Sequence, residues 1–436
     1  MFRYYFLLGL RSLRRNPALT ALMVLTLAVG VAASVTTLTI LHVMSGDPIP
    51  HKSARLFTPL LDNGPLRGYT PGDKPNDTQL SYRDVVNLLA GRQGERRSAL
   101  YGINATIEPA RADLVPRQAG GQASTRDFFA MFEAPFRYGQ AWSEADDAAG
   151  ADVVVLSRGM AELLFGAANP VGRRLRLLGH PFQIVGVLEH WRPLPRYYRM
   201  IGGDPYGNEA EFMLPLASAI RHQTTHSGGM SCSSRREPGW QALLESECTW
   251  FHFWFETRSG AGRAELQNYL DNYTAEQRRL GRFQRAAPNR LLDVMQWLEY
   301  LEVVGKDNKL SAWLAFGFLL LCLVNTIGLL LAKFSVRAAE VGIRRALGAS
   351  RRQIFRQFMI ETSVIGVGGG LLGVLFAYGA LALIGRQSSE LEAAARMDWL
   401  MLLVSFVLAL AAALLAGLLP TWRACQVTPA LQLKSQ

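Results

Sequence analysis

The most informative charges lie in residues 333–362, KFSVRAAEVGIRRALGASRRQIFRQFMIET. Arg337, Glu340, Arg344 and Arg345 are close enough in sequence for one helix to bring them together, and Glu340–Arg344 has the i, i+4 spacing of an ion pair. Gly348 suits a helix terminator. Ser350-Arg351-Arg352-Gln353 has the pattern of a capping box that opens the next helix. The chemistry predicted is mechanical: a helix, a sharp turn and a returning helix form a rigid basic elbow that can press on a partner protein.

Other clusters point to chemistry less directly. His222 and His226 have i, i+4 metal spacing but lack the glutamate of H-E-x-x-H, so they read as loop histidines. Glu144, Asp146 and Asp147 read as a solvated turn, and no metal ligand set is assigned. Cys232 and Cys248 flank a polar, Gly/Ser-containing stretch. In an oxidising compartment they can pair or remain separate, and a bridge would be worth ~3 kcal/mol in the chain-entropy account. No nucleophile–base arrangement stands out, and the sequence contains no G-x-x-x-x-G-K-[ST] phosphate loop. This predicts a non-enzymatic chain that binds no cofactor directly.

The elements that must position these residues are membrane helices. Four uncharged runs, 18–44, 310–332, 362–385 and 399–422, each exceed the ~20 residues needed to cross a bilayer. The first is too long for the apolar core of a signal peptide and reads as a retained anchor. Residues 1–44 carry four basic and no acidic side chains, and residues 309–436 carry 12 and 5. This leaves 30 of each sign in 45–308. The surplus flanks the apolar runs instead of coating a polar domain, which argues against nucleic acid as a partner. The Lys/Arg bias puts both termini and the 333–361 elbow in the cytoplasm, with 45–309 and the short loop 386–398 outside.

Residues 1–17 read as an amphipathic helix on the inner membrane face, its arginines directed to anionic lipid; residues 423–436 form a cytoplasmic tail. Between the first two spans, 47–77 reads as loop. Helical spacing appears at 82–89, 125–132, 158–165, 261–282 and 289–304; strand patterns appear at 152–156, 173–178, 182–188 and 249–257. The predicted class is thus a four-helix membrane protein with an α+β extracytoplasmic domain, expected in two lobes, inserted at 45–309. Within the third span, Gly366/Gly370 and Gly369/Gly373 have small-xxx-small spacing, suited to packing within the chain or across a dimer. Asn325 in the second span is expected to bond another helix.

The 337–349 segment closely resembles the signature R-x-x-E-[IV]-G-[IV]-R-[RK]-A-[LI]-G-A of FtsX-like permeases of ABC machines. Arg337, Glu340, Val341, Gly342, Arg344, Arg345, Ala346, Gly348 and Ala349 fill it. The C-terminal AGLLPTWRACQVTPALQL resembles the family's closing pattern, with Gly417, Pro420, Ala424 and Pro429 in its fixed places and Cys425 and Gln426 as minor departures. Residues 124–188 resemble the periplasmic core of the MacB-like branch.

The resemblance implies an inner-membrane permease whose elbow docks on an ABC ATPase, with coupling carried by Arg337, Glu340, Gly342, Arg344, Arg345, Gly348 and Ala349. ATP and Mg would be bound by that separate subunit. It further implies pairing with a second permease copy and mechanotransmission that exports a hydrophobic or peptide-like cargo, with a periplasmic adaptor and an outer-membrane channel as further partners. The alternative implied by the family is a non-transporting machine that regulates a periplasmic enzyme such as a cell-wall hydrolase.

Overall fold

The computed structural model describes residues 16–61, 63, 64, 66, 69, 70, 78–109, 113–232, 237–259, 262–285, 288–303 and 306–387, with separate positions between 403 and 422. The chain divides into two compact units, residues 46–303 and residues 1–45 with 304–436. The expected amphipathic helix at 1–17 and the loop at 386–398 fall almost wholly outside the described residues, and the 423–436 tail does so entirely. Most of the fourth span does too, although its described positions, among them Leu403, Val407, Leu415 and Trp422, are helical. Three long apolar helices are described. The first, α1 (Pro17–Ser45), has 29 residues and no charged side chain other than its histidine.

In the 46–303 unit, twelve described strands build one mixed sheet. In chain order the elements are β1 (Leu56–Leu60), β2 (Leu80–Ser81), α2 (Tyr82–Ala90), β3 (Arg96–Glu108), β4 (Arg117–Ser124), α3 (Asp127–Met131), β5 (Phe136–Gly139) and α4 (Glu144–Ala149). There follow β6 (Val153–Leu156), α5 (Arg158–Phe165), β7 (Arg174–Leu177), β8 (His180–Leu188), β9 (Phe212–Pro215), α6 (Leu216–Arg221) and β10 (His226–Ser227). The unit closes with α7 (Trp240–Glu245), β11 (Thr249–Glu256), α8 (Gly262–Arg279), β12 (Arg290–Asp293) and α9 (Val294–Tyr300). The sheet runs β12-β1-β11-β3-β4-β9-β6-β8-β5, with β2, β7 and β10 attached beside it. Pairing is antiparallel except at β4/β9 and β6/β8.

Each face of the sheet carries a hydrophobic core, which explains strands without polar alternation. In β6, Val154 and Leu156 join one core while Val153 and Val155 join the other. The two cores thus lie on one continuous sheet within a single compact unit. Two local expectations change. The 47–77 stretch contains β1, fully buried, and Pro59 there lies beyond the last pair with β11, so its missing N–H breaks no rung of that ladder. The helix expected over 289–304 begins as β12, because Leu291 and Leu292 pair with β1; α9 starts only where Asp293 and Gln296 form a capping box. The glycine-rich β4 shows no strand signal in sequence, yet Gly121 is required: a Cβ there would enter the Phe212 ring.

Several polar groups of this unit sit in internal networks. Glu256, 1% exposed, receives Lys52 at 2.9 Å and Arg96 at 2.9 Å. Asp84 accepts from Tyr273, Ser81 and Arg282. Asp147 is not a solvated turn residue: it accepts from the Trp142 indole at 2.7 Å and the Arg126 amide at 3.1 Å, and burial raises its pKa. His222 lies 2.7 Å from Asp152 and packs at a tilt against His180, ring centroids 4.4 Å apart, whereas His226 sits in β10 against Trp250. No group of three or more metal-ligand side chains occurs among the described residues. Cys232 and Cys248 are joined in a disulfide.

In the second unit, α10 (Lys306–Val336) leads through Arg337 into α11 (Ala338–Ala346), and α12 (Arg351–Gln387) returns. α1 lies against both long helices at glycines. A Cβ on Gly369 would sit 2.7 Å from Leu27, and one on Gly373 2.8 Å from Val31. On the other side, one on Gly30 would sit 2.9 Å from Cys322 of α10. Gly366 and Gly370 are buried. The absent side chains permit backbone approach, and dispersion between the facing chains supplies the attraction.

Candidate functional site: the elbow between α10 and α12

The elbow owes its sharpness to one residue. Gly348 has φ +100°, a conformation that L side chains rarely adopt. Its amide donates to the Arg345 carbonyl at 3.1 Å, and the Ala349 amide donates to the Arg344 carbonyl at 3.0 Å. These are the paired bonds of a Schellman stop for α11. Two residues on, α12 starts: the Gln353 amide donates to Ser350 Oγ at 3.3 Å and the Ser350 amide to Gln353 Oε1 at 2.9 Å. Both helix ends are therefore capped within six residues, and the turn has little freedom to unwind.

A chain of ion pairs braces the three helices. Glu361, buried on α12, forms an ion pair with Lys333 of α10 and accepts from Arg337 Nη1 at 3.1 Å. Arg337 Nε reaches Glu340 at 3.4 Å, and Glu340 receives Arg344 Nη2 at 2.7 Å. Arg344 Nη1 closes the chain by donating to Gln357 Oε1 at 3.0 Å. Beneath it, Phe334 and Phe358 pack with ring centroids 4.2 Å apart, in a core with Met23, Leu330, Val341, Ile354 and Ile365. Gly342 is buried and Ala349 packs on this core.

Of the sequence-predicted site, the structure thus brings Arg337, Glu340 and Arg344 together, but by turning them onto each other and onto α12. Sequence reasoning assigned no site role to Glu361, Gln357, Phe334, Phe358 or Lys333. The available signal was Glu361 itself, a lone carboxylate in the apolar run FMIETSV. Asn325, expected to bond another helix, is exposed. The surface that the elbow presents is different: Ile343 (58% exposed), Ala346 and Leu347 (83%), with Arg352 and Arg356 exposed at the start of α12. That is an apolar knuckle with a basic rim.

Residues 20–273 match the sequence pattern of the MacB-like periplasmic core domain, and residues 312–429 match that of the FtsX-like permease C-terminal region. The chain belongs to the FtsX-like, MacB-like permease family. Its α+β unit is accordingly a periplasmic core domain that follows the first of the membrane helices, and the elbow lies in the FtsX-like part of the permease.

Relatives include the pyoverdine export ATP-binding/permease protein PvdT of Pseudomonas fluorescens, 26% identical over 85% of this chain and 50% of that protein. The macrolide export ATP-binding/permease protein MacB of Rhodospirillum rubrum is 28% identical over 98% and 59%. The uncharacterized ABC transporter permease YknZ of Bacillus subtilis is 24% identical over 67% and 64%. This permease therefore spans 50–64% of the length of these relatives. The crystal structure of the periplasmic region of MacB from Actinobacillus actinomycetemcomitans aligns with 58% of this chain and 95% of its own, at 13% identity and a TM-score of 0.36.

Proposed function

We propose that this chain is the membrane subunit of an ABC exporter in a bacterial inner membrane, with both termini and the elbow in the cytoplasm. A separate ATPase subunit holds ATP and Mg, docks on the elbow and hydrolyses the nucleotide. Two permease copies work together, and approach of the ATPases moves the elbows. The long helices carry that movement to the periplasmic domain, from which a hydrophobic or peptide-like cargo is expelled toward an adaptor and an outer-membrane channel. Membrane lipids surround the spans.

One observation carries the reading. Within the elbow Arg337, Glu340 and Arg344 are paired internally, and Ile343, Ala346 and Leu347 are left exposed on a turn capped at both ends. A lipid-facing hydrophobic residue needs no bracing, whereas a surface that receives force must not yield under it. Arg337, Glu340, Arg344, Gly342, Gly348 and Ala349 then act by holding the knuckle in shape, while Arg345, Arg352 and Arg356 border the contact.

The test is co-purification of the ATPase with full-length permease in nanodiscs, and its stimulation there. Leu347→Asp is expected to abolish ATPase association with unchanged permease thermal stability. Arg344→Glu is expected to weaken both. An ATPase-free complex from wild type, or an unaffected Leu347→Asp variant, overturns the proposal.

A further inference from the structure

On one face of the periplasmic sheet the segment 196–203 lies across β11, β3 and β4. Trp254 Nε1 of β11 donates to the Tyr198 carbonyl at 3.1 Å, and Arg199 Nη1 donates to the Gly121 carbonyl of β4 at 3.1 Å. Between them Arg199 passes over Gly102 of β3, where a Cβ would lie 2.4 Å from Nη1. Gly102 is the register partner of Gln122 on β4. Paired residues of an antiparallel ladder point to the same face, and so do residues two apart on one strand. Gln122 and Ser124 therefore share the face on which the Arg199 guanidinium lies.

These side chains are buried without partners. Gln122 and Ser124 are both 0% exposed. Among the described residues, neither amide atom of Gln122 makes a hydrogen bond, and nor do Ser124 Oγ and Arg199 Nε. A buried polar group left unpaired costs free energy, so this cluster calls for an occupant. Charge narrows the choice. Among the described residues no carboxylate pairs with Arg199 or with the neighbouring Arg196. The carboxylates of the adjoining loop are engaged elsewhere: Asp204 accepts from the Tyr206 amide at 2.8 Å, and Glu209 faces His190 at 3.9 Å. Desolvation, reinforced by Arg196, lowers the Arg199 pKa to about 10. Water can satisfy amides and hydroxyls, but it leaves a desolvated cation uncompensated.

We infer that Arg199, Gln122 and Ser124 form a binding site for a small monovalent inorganic anion of chloride size. The guanidinium supplies the charge and its uncommitted Nε–H, while Gln122 Nε2 and the Ser124 hydroxyl supply neutral donors. Arg196 is already committed to the Asn208 carbonyl, so one uncommitted guanidinium sets the charge of the ion. The full burial of Gln122 and Ser124 limits its size. Arg199 itself is partly exposed, which gives the ion a way in. Water entering with the ion can donate to Gln122 Oε1. Once bound, the ion ties the 196–203 segment to β4.

The test is thermal unfolding of the full-length permease in nanodiscs near neutral pH, with gluconate replaced stepwise by chloride at fixed ionic strength. Gluconate is too large for so enclosed a set of donors. Wild type is expected to gain several degrees in midpoint, with saturation as chloride fills the site. Arg199→Met is expected to show no chloride response. Gln122→Leu removes the orphaned amide and leaves the guanidinium in place. In gluconate it should be at least as stable as wild type, yet it should bind chloride about tenfold more weakly. Arg174→Met, at an exposed arginine of β7, should respond as wild type does.

No chloride response in wild type, or the same response in wild type, Arg199→Met and Gln122→Leu, would overturn the inference and leave water as the occupant. Should Arg199→Met fail to fold, Gln122→Leu decides alone. A full chloride response there refutes the site, and a weakened response with stability kept supports it. The measurement needs no ATPase, so its outcome is separate from that of the coupling proposal.

Discussion

Removing the Glu361 carboxylate tests whether the elbow is a braced unit. Glu361 is fully buried, and the Lys333 side chain that it neutralises is 1% exposed. Glu361→Leu leaves an ammonium in the protein interior, a class of change that costs about 3–5 kcal/mol. Arg337 suffers less because Glu340 remains 3.4 Å from it. Lys333→Met alone is expected to cost less than Glu361→Leu, since Arg337 still compensates the remaining carboxylate at 3.1 Å. The double variant Lys333→Met/Glu361→Leu removes the charge and its partner together, and it should return to within about 1–2 kcal/mol of wild type. The assay is SDS-driven unfolding in mixed micelles for all four proteins, with ATPase stimulation read in parallel. Stability recovered in the double variant, with stimulation still reduced, fits a brace that also serves coupling. A Glu361→Leu cost below about 1 kcal/mol, or a double variant as unstable as the sum of the singles, would refute the brace.

Gly348→Val places a branched side chain at φ +100° and should destabilise the α11–α12 turn by about 1–2 kcal/mol while halving or worse the ATPase stimulation; Gly348→Asn should be milder. His252 is fully buried, and desolvation together with nearby Arg199 pushes its pKa down to about 3. The unfolded chain therefore binds the proton that the native state refuses, and stability falls as pH drops below about 6.5; between pH 7 and 5 wild type should lose about 2 kcal/mol that a His252→Gln variant does not lose. On SDS gels, reductant should shift the mobility of wild type but not of Cys232→Ser. Equal behaviour of the two would mean that the bridge does not form in the cell.

Much of the architecture was legible because bilayers and helix caps impose strong local rules. The apolar runs, the Gly348 stop and the Ser350/Gln353 cap all depend on neighbours within a few residues. The same holds for DVVVL as a buried strand and for the turn at Gly179-His180, which joins β7 to β8. What escaped depends on distant partners. β4 is a strand because Phe212 fills the space above Gly121, and Arg290–Asp293 is extended because β1 offers it an edge. At the elbow, the i, i+4 pair Glu340–Arg344 was readable. Its continuation to Gln357 and Glu361 joins helices that are adjacent only after the chain turns at Gly348.

The 37 residues of α12 run without interruption from the elbow, so the helix behaves as a beam. One close support is Gly369 against Leu27 of α1, and Gly369 stands midway between Arg351 and Gln387. Each arm is then roughly 27 Å long at 1.5 Å per residue. A tilt of about 10° about that support would carry both ends by about 5 Å in opposite directions. A push at the elbow would therefore emerge at the far end with equal throw and reversed sense, and a bulkier residue at 369 would shift the fulcrum before it changed either end.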